Sequence, residues 1–230
     1  AAHPILSDEA AERGRLHRLD SQTSGLLLWA RTYAGRHWLQ LQWCGLGVEK
    51  EYVCLVHGLL DWGVQRIDAR IRRIAGSTFC EVSERGSPAV TEVCTIARLA
   101  RYAGGGSGAA NLGGAGQFSL MSCRLRSGRK HQIRLHLRSL GHPLVTDLGY
   151  ASGPAWEGDR AWCSRNFLHC CRLCFHDLPE DSEDSASSRT VELRCAIPPD
   201  LRGALRQLSR WMFCPRSCWP RFLRGRRPIS

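Results

Sequence analysis

Apolar residues in this chain come in short runs, of which residues 26–30 are typical, and each run is cut off by a turn or a polar segment. None approaches the roughly 20 residues that a helix needs to cross a bilayer, so the pattern excludes a membrane-spanning helix. It favours several short strands with a few helices packed on them. Residues 26–30 read as a short buried strand, and residues 33–44 carry apolar side chains at helical spacing. Strands are expected over residues 51–56, 90–99, 118–125, 167–175 and 190–195, with alternating polar and apolar positions over 65–71. Residues 131–140 read as a helix, because Ile133, Leu137 and Leu140 recur on one face. Pro198 and Pro199 open a further helix expected to run to about Met212. This order predicts one α+β domain over residues 1–212, a mixed, mostly antiparallel sheet with flanking helices, followed by a basic tail at 213–230.

Two low-complexity segments interrupt the pattern. Residues 103–116 are half glycine without periodicity and read as a flexible hairpin insertion. Residues 177–188 are acidic and serine-rich and read as a loop. No internal repeat is evident.

Charge narrows the function. The 230 residues carry a net +11, and all but two of the 32 basic residues are arginine, the exceptions being Lys50 and Lys130. Clustered cations point to a polyanionic partner, and the guanidinium fork suits phosphate contacts and stacking on bases. A membrane surface or an acidic protein would also answer to the charge alone. The twelve cysteines could be a disulfide framework, a metal site or packing. Cys44, Cys54, Cys80, Cys94, Cys123 and Cys195 stand singly, most of them in apolar stretches, where cysteine behaves as a small hydrophobe. The clusters are Cys170-Cys171-x-x-Cys174 and Cys214-x-x-x-Cys218, and only the first has the usual two-residue gap of a structural zinc pair. On a strand, Cys171 and Cys174 would point to opposite faces, so packing in a reducing compartment is the expectation and no metal is.

Three segments carry candidate chemistry. His17-Arg18-Leu19-Asp20-Ser21-Gln22-Thr23-Ser24-Gly25 is a turn that sets two basic residues just ahead of a carboxylate. Residues 50–56 form a strand presenting Tyr52 beside the Lys50–Glu51 pair. Residues 128–137 lead from a turn into a helix, with His131, Arg134 and Arg138 spaced to share a face. Since Ile133, Leu135 and Leu137 mark parts of that helix as buried, Arg134 is expected to face a carboxylate.

In this order the three segments resemble the RluA-type RNA pseudouridine synthases. That family's pattern His-Arg-Leu-Asp-x-x-Thr-Ser-Gly is matched at 17–25. Lys-x-Tyr-x-Ala-x-Val-x-Gly is matched at 50–58 with Cys54 in the alanine place, and Gly-x-x-Ala-x-Thr at 86–91. Gly-Arg-x-His-Gln-Ile-Arg-x-His is matched without a fault at 128–136, and Gly-His-Pro-Leu-Val-x-Asp follows from Gly141. Leu-His-Ala-x-x-Leu-x-Phe appears at 168–175 with Cys170 as the alanine. The likeness spans about residues 13–205. The family's usual upstream strand with a Lys-Pro motif has no counterpart, so the amino-terminal element is expected to be missing here.

The resemblance implies isomerisation of uridine in RNA, without cofactor or metal. Asp20 would be the catalytic carboxylate, attacking the anomeric carbon or removing the neighbouring sugar proton. Arg134 would pair with Asp20 and orient it, and Tyr52 would stack on the target base. Arg18 would fill the space that the base vacates. His17, Thr23, Arg129, Lys130, His131 and Gln132 would contact RNA, and Leu27 and Ile133 would line the pocket. The partner would be a structured RNA, with ribosomal RNA favoured over transfer or messenger RNA, together with ribosome assembly proteins and no membrane. A catalytically silent or dual-role assembly factor with the same fold is the competing reading, and a cysteine-rich zinc module is a third. The setting would be intracellular, with arginine richness favouring the mitochondrion.

Overall fold

The computed structural model describes residues 3–45, 47–101, 116–151, 158–179 and 189–213. Most of the glycine-rich segment, most of the acidic loop, the Cys214/Cys218 pair and all but the first residue of the basic tail lie outside the described residues.

The strands in chain order are β1 (Ser24–Gly25), β2 (Glu49–His57), β3 (Val64–Asp68), β4 (Ile71–Arg73), β5 (Cys80–Val82), β6 (Val90–Arg101), β7 (Gly116–Leu125), β8 (Leu168–His176), β9 (Thr190–Arg194) and β10 (Ser209–Phe213). Among the described residues the longer α-helices are α1 (Tyr33–Cys44), α2 (Gln132–Ser139) and α3 (Pro199–Arg206). Eight strands form one sheet along the path β1-β8-β2-β7-β6-β10, with β3 also on β6 and β9 also on β8. Among the described residues only the short β1–β8 pairing is parallel. The ribbon β4–β5 stands apart as a second sheet. The architecture is α+β.

The sheet is covered on both faces, and β2 shows it most plainly. Tyr52, Cys54 and Val56 face a core with Leu28, Leu39, Ile133 and Leu137. Val53 and Leu55 face another with Trp162, Phe167, Leu201 and Ala204. A strand buried on both sides needs a near-continuous apolar run, which is what residues 52–56 supply. Ile71, Cys80 and Ala89 pack the ribbon region against Leu135 of α2 and against Tyr150.

Three expectations need correction. Residues 26–30 are not a buried strand. The chain leaves β8 after Gly25, so Leu28 and Ala30 are buried while Leu27 and Trp29 are 36% and 47% exposed. The helix opened by Pro198 and Pro199 ends at Arg206 rather than near Met212. The chain there turns into β10, which pairs with the outer edge of β6 and satisfies backbone groups that the edge would otherwise leave open. The simple alternation assumed for residues 167–175 also fails. A bulge opposite Glu51 and Tyr52 returns Leu173 and Phe175 to the face of Leu168 and Cys170.

Candidate active site

Asp20 sits in the turn before β1, closed by the Thr23 amide donating to the Asp20 carbonyl at 2.9 Å. Several side chains pin the turn to β8 and α3. Arg165 donates to the Gln22 carbonyl at 2.9 Å, to Ser24 Oγ at 3.0 Å and to Asp200 at 2.7 Å. His169 Nδ1 meets Ser24 Oγ at 2.9 Å from the other side. Gly25 makes the close approach possible: it has φ 123°, and a Cβ there would lie 2.3 Å from the Cys170 carbonyl oxygen. The Asp20 carboxylate is thereby placed on a fixed loop, with its side chain one-quarter exposed.

Arg134 approaches from α2. Its Nη1 lies 3.4 Å from Asp20 Oδ2. Its other edge makes a shorter, bidentate contact with Asp147, Nε to Oδ2 at 2.9 Å and Nη2 to Oδ1 at 2.6 Å. Arg134 therefore does face Asp20 as its motif suggested, but its anchor is Asp147, fully buried and given no role by the sequence pattern. The two aspartates hold the guanidinium above its ordinary range despite its burial. The guanidinium also lies over the Tyr150 ring, 4.7 Å from its centroid. Tyr150 hydroxyl meets His131 Nδ1 at 2.7 Å, and His131 Nε2 stands 3.9 Å from Asp20 Oδ1. Burial is the main force pushing His131 below its usual value.

Tyr52 enters from β2, buried against the same core. Burial pushes its phenol well above the ordinary range, helped by Cys170, whose thiol it meets, and by the charge of Asp20. Asp20, Tyr52, Arg134 and His131 are thus brought together from a loop, a strand and a helix.

The expected RNA contacts divide. His17, Arg18 and Thr23 line a cleft of about 350 Å³ together with Asp20, Leu27 and Trp29. Arg18 is exposed there, while Thr23 Oγ1 is buried without a hydrogen-bond partner. His17 is tied down: it stacks on Trp43 and its Nε2 accepts from the Leu28 amide. Burial lowers its pKa to about 4, so it is neutral at physiological pH. Gln132 is wholly occupied, accepting from Ser127 and the Arg129 amide and donating to Val90 and Thr91. Arg129 and Lys130 are exposed, and each donates to a backbone carbonyl, of Pro88 and Thr78 respectively. Ile133 lies in the core beside Tyr52 and does not line this cleft. Among the described residues no group of three or more His, Cys, Asp or Glu could hold a metal ion.

A family profile described as RNA pseudouridylate synthase matches residues 4–139, more than half of the chain. Human pseudouridylate synthase RPUSD2 is 36% identical over 148 residues, 63% of this chain and 24% of that protein. Ribosomal large subunit pseudouridine synthase D of Neisseria meningitidis serogroup B is 29% identical over 208 residues, 87% of this chain and 49% of that protein. The chain spans about a quarter to a half of the length of these curated relatives. Among solved structures, human RNA pseudouridylate synthase domain containing 1 superposes with a TM-score of 0.65 at 26% identity, covering 86% of this chain and 74% of that one. Asp20, Tyr52 and Arg134 all fall inside the matched span. On these grounds the chain belongs to the RNA pseudouridylate synthase family, in its RluA-type branch.

Proposed function

We propose that this chain isomerises uridine to pseudouridine in a structured RNA, with the Asp20 carboxylate as the reacting group. One observation carries the reading: Asp20 is open to a cleft on one side and held on the other by an arginine whose second edge is locked to a buried carboxylate. The reaction breaks the bond between C1′ of ribose and N1 of uracil, turns the base, and joins C1′ to C5. The C5 proton leaves and N1 gains one, so no electrons enter or leave. Asp20 either attacks C1′ or takes the neighbouring sugar proton. Arg134, fixed before substrate arrives, steadies the charge on that carboxylate through the reaction. Tyr52 is a neutral phenol at physiological pH, so its part is to stack on the base and to donate a late proton. Thr23 Oγ1 offers an unused hydrogen bond to the incoming sugar. The uridine must leave its stack to reach Asp20, at about a few kcal/mol.

Ribosomal RNA is the favoured substrate. The net charge of +11 suits a large polyanion, and one relative is named for the ribosomal large subunit. The experiment is to map pseudouridines in RNA from cells with and without the protein, then to restore the wild type or Asp20→Asn. Asp20→Asn keeps the shape and should abolish the modification while RNA binding persists. Residual turnover within about tenfold of wild type, roughly 1.4 kcal/mol of barrier, removes Asp20 from the chemistry. Loss of the protein with no loss of pseudouridine would favour the silent assembly factor.

A further inference from the structure

The turn that delivers Asp147 to Arg134 is held from outside by side chains that play no part in the chemistry just proposed. Thr146, immediately before Asp147, has φ 59°. That is the left-handed region, where glycine is at ease and a β-branched residue is strained. The Thr146 amide donates to Asp159 Oδ2 at 3.0 Å, and its hydroxyl donates to the Cys163 carbonyl at 3.0 Å. The same Asp159 oxygen meets His57 Nε2 at 2.8 Å, at the end of the strand that carries Tyr52. Asp159 is 4% exposed, and its own carbonyl accepts from the Trp162 and Cys163 amides. A buried carboxylate with partners of fixed position is therefore clamped onto the strained peptide beside Asp147.

We infer that Asp159, seated by His57, is a positioning residue for the reaction: it holds the Thr146 turn that aims Asp147 at Arg134, and thereby aims Arg134 at Asp20. This rests on the reading of Asp20 as the reacting carboxylate. Without the hold, Thr146 relaxes toward negative φ and carries the Asp147 carboxylate out of register with the guanidinium fork. Arg134 is then free to turn away from Asp20. A misplacement near 1 Å in a positioning group costs on the order of a hundredfold in rate. Because Arg134 orients the reacting group rather than gripping RNA, the loss belongs to kcat and not to KM. The strain gives the inference a signature of its own. Glycine adopts the left-handed turn unaided, so Thr146→Gly lessens the dependence on Asp159.

The test compares wild type, Asp159→Ala, and Asp159→Ala combined with Thr146→Gly, in the full chain. One arm measures kcat and KM on an RNA bearing the uridine found by mapping. The other follows the side-chain Nε–H signal of Arg134 in 15N-arginine protein, assigned by its disappearance in Arg134→Lys. Asp159→Ala should lower kcat about ten- to hundredfold with KM within about twofold, and should expose the Arg134 Nε–H to rapid exchange. Adding Thr146→Gly should restore most of both. If Asp159→Ala does not fold, Asp159→Asn takes its place: it keeps an oxygen for the Thr146 amide, so the Arg134 signal should stay protected. An unchanged Arg134 signal and kcat in Asp159→Ala overturns the inference, as does a loss that Thr146→Gly fails to mend. With Asn in place, an exposed Arg134 signal overturns it too. A wild type that forms no pseudouridine instead fails the reading of Asp20, which the exchange arm tells apart because it needs no turnover.

Discussion

Cutting Arg134 back to alanine strands Asp147 where no solvent reaches it, and breaking a buried pair in this way costs about 3–5 kcal/mol. Asp20 keeps a quarter of its side chain in water, so its own loss of Arg134 costs much less. A thermodynamic cycle of Arg134→Ala with Asp147→Asn should therefore give a coupling several times that of the cycle with Asp20→Asn, read by chemical denaturation. Equal couplings would mean that Asp147 is not the anchor. Arg134→Lys keeps the charge and loses the fork, so it should cost more in turnover than in stability. Lys50 poses the opposite case, a buried cation resting on an aromatic face. It is 6% exposed with its ammonium 3.9 Å above the Trp43 ring, and burial lowers its pKa from 10.5 to about 8. Between those two values the unfolded chain holds the proton and the folded chain has released it. Unfolding then takes up a proton, so this site adds stability as pH rises from about 8 to 10.5, and below 8 the burial penalty stands in full. Lys50→Met should raise the melting temperature at pH 7, and the gain should shrink across that window. A gain independent of pH would show that Lys50 keeps its proton throughout.

At the scale of elements, periodicity announced β2, β6, β7, α1 and α2; the strands and α2 bury regular faces, while α1 fully buries Leu39 alone. What it could not announce depends on partners distant in sequence. The bulge in β8 is set by its register on β2, and β10 exists because the β6 edge was free to take it. The candidate site divides in the same way. Asp20, Tyr52 and Arg134 were legible in their local motifs, whereas Asp147 sits in a turn whose meaning appears only when α2 packs against it. The family pattern reached Asp147 without giving it a role. Gly149 belongs to that turn: its amide donates to Asp147 Oδ1 at 3.1 Å, and a Cβ there would lie 2.9 Å from Arg134 Nη2 and 2.7 Å from the Phe79 ring. Gly149→Ala should therefore press on the guanidinium itself. Turnover should fall by about a hundredfold if Arg134 shifts by about 1 Å, with circular dichroism unchanged. Wild-type turnover in Gly149→Ala would show that the fork tolerates displacement and that its geometry is not what the turn protects.

Over the whole molecule the surplus of positive charge is unevenly placed. In the described residues many arginines are matched by an acidic neighbour: Arg13 by Glu9, Arg72 by Glu81, Arg126 by Glu92, and Arg124 and Arg172 by Glu49. Residues 215–230 instead carry five arginines, Arg216, Arg221, Arg224, Arg226 and Arg227, and no acidic residue, in a chain whose net charge is +11. They also lie beyond the residues that the family profile matches. Phosphates met there would add affinity without touching the chemistry at Asp20. Each phosphate neutralised releases condensed counterions, so the logarithm of the binding constant falls with the logarithm of salt by about 0.7–0.9 per phosphate. A chain ending at Cys214 should bind its RNA more weakly at low salt and with a shallower slope, by that amount for each phosphate it no longer neutralises. The deficit should close as salt rises, because the missing term is the one that salt screens. It should appear in affinity rather than in the turnover of RNA already bound. A slope identical to that of the full chain would mean that these arginines meet no phosphate, and that the matched arginines and Arg18 at the cleft carry the RNA by themselves.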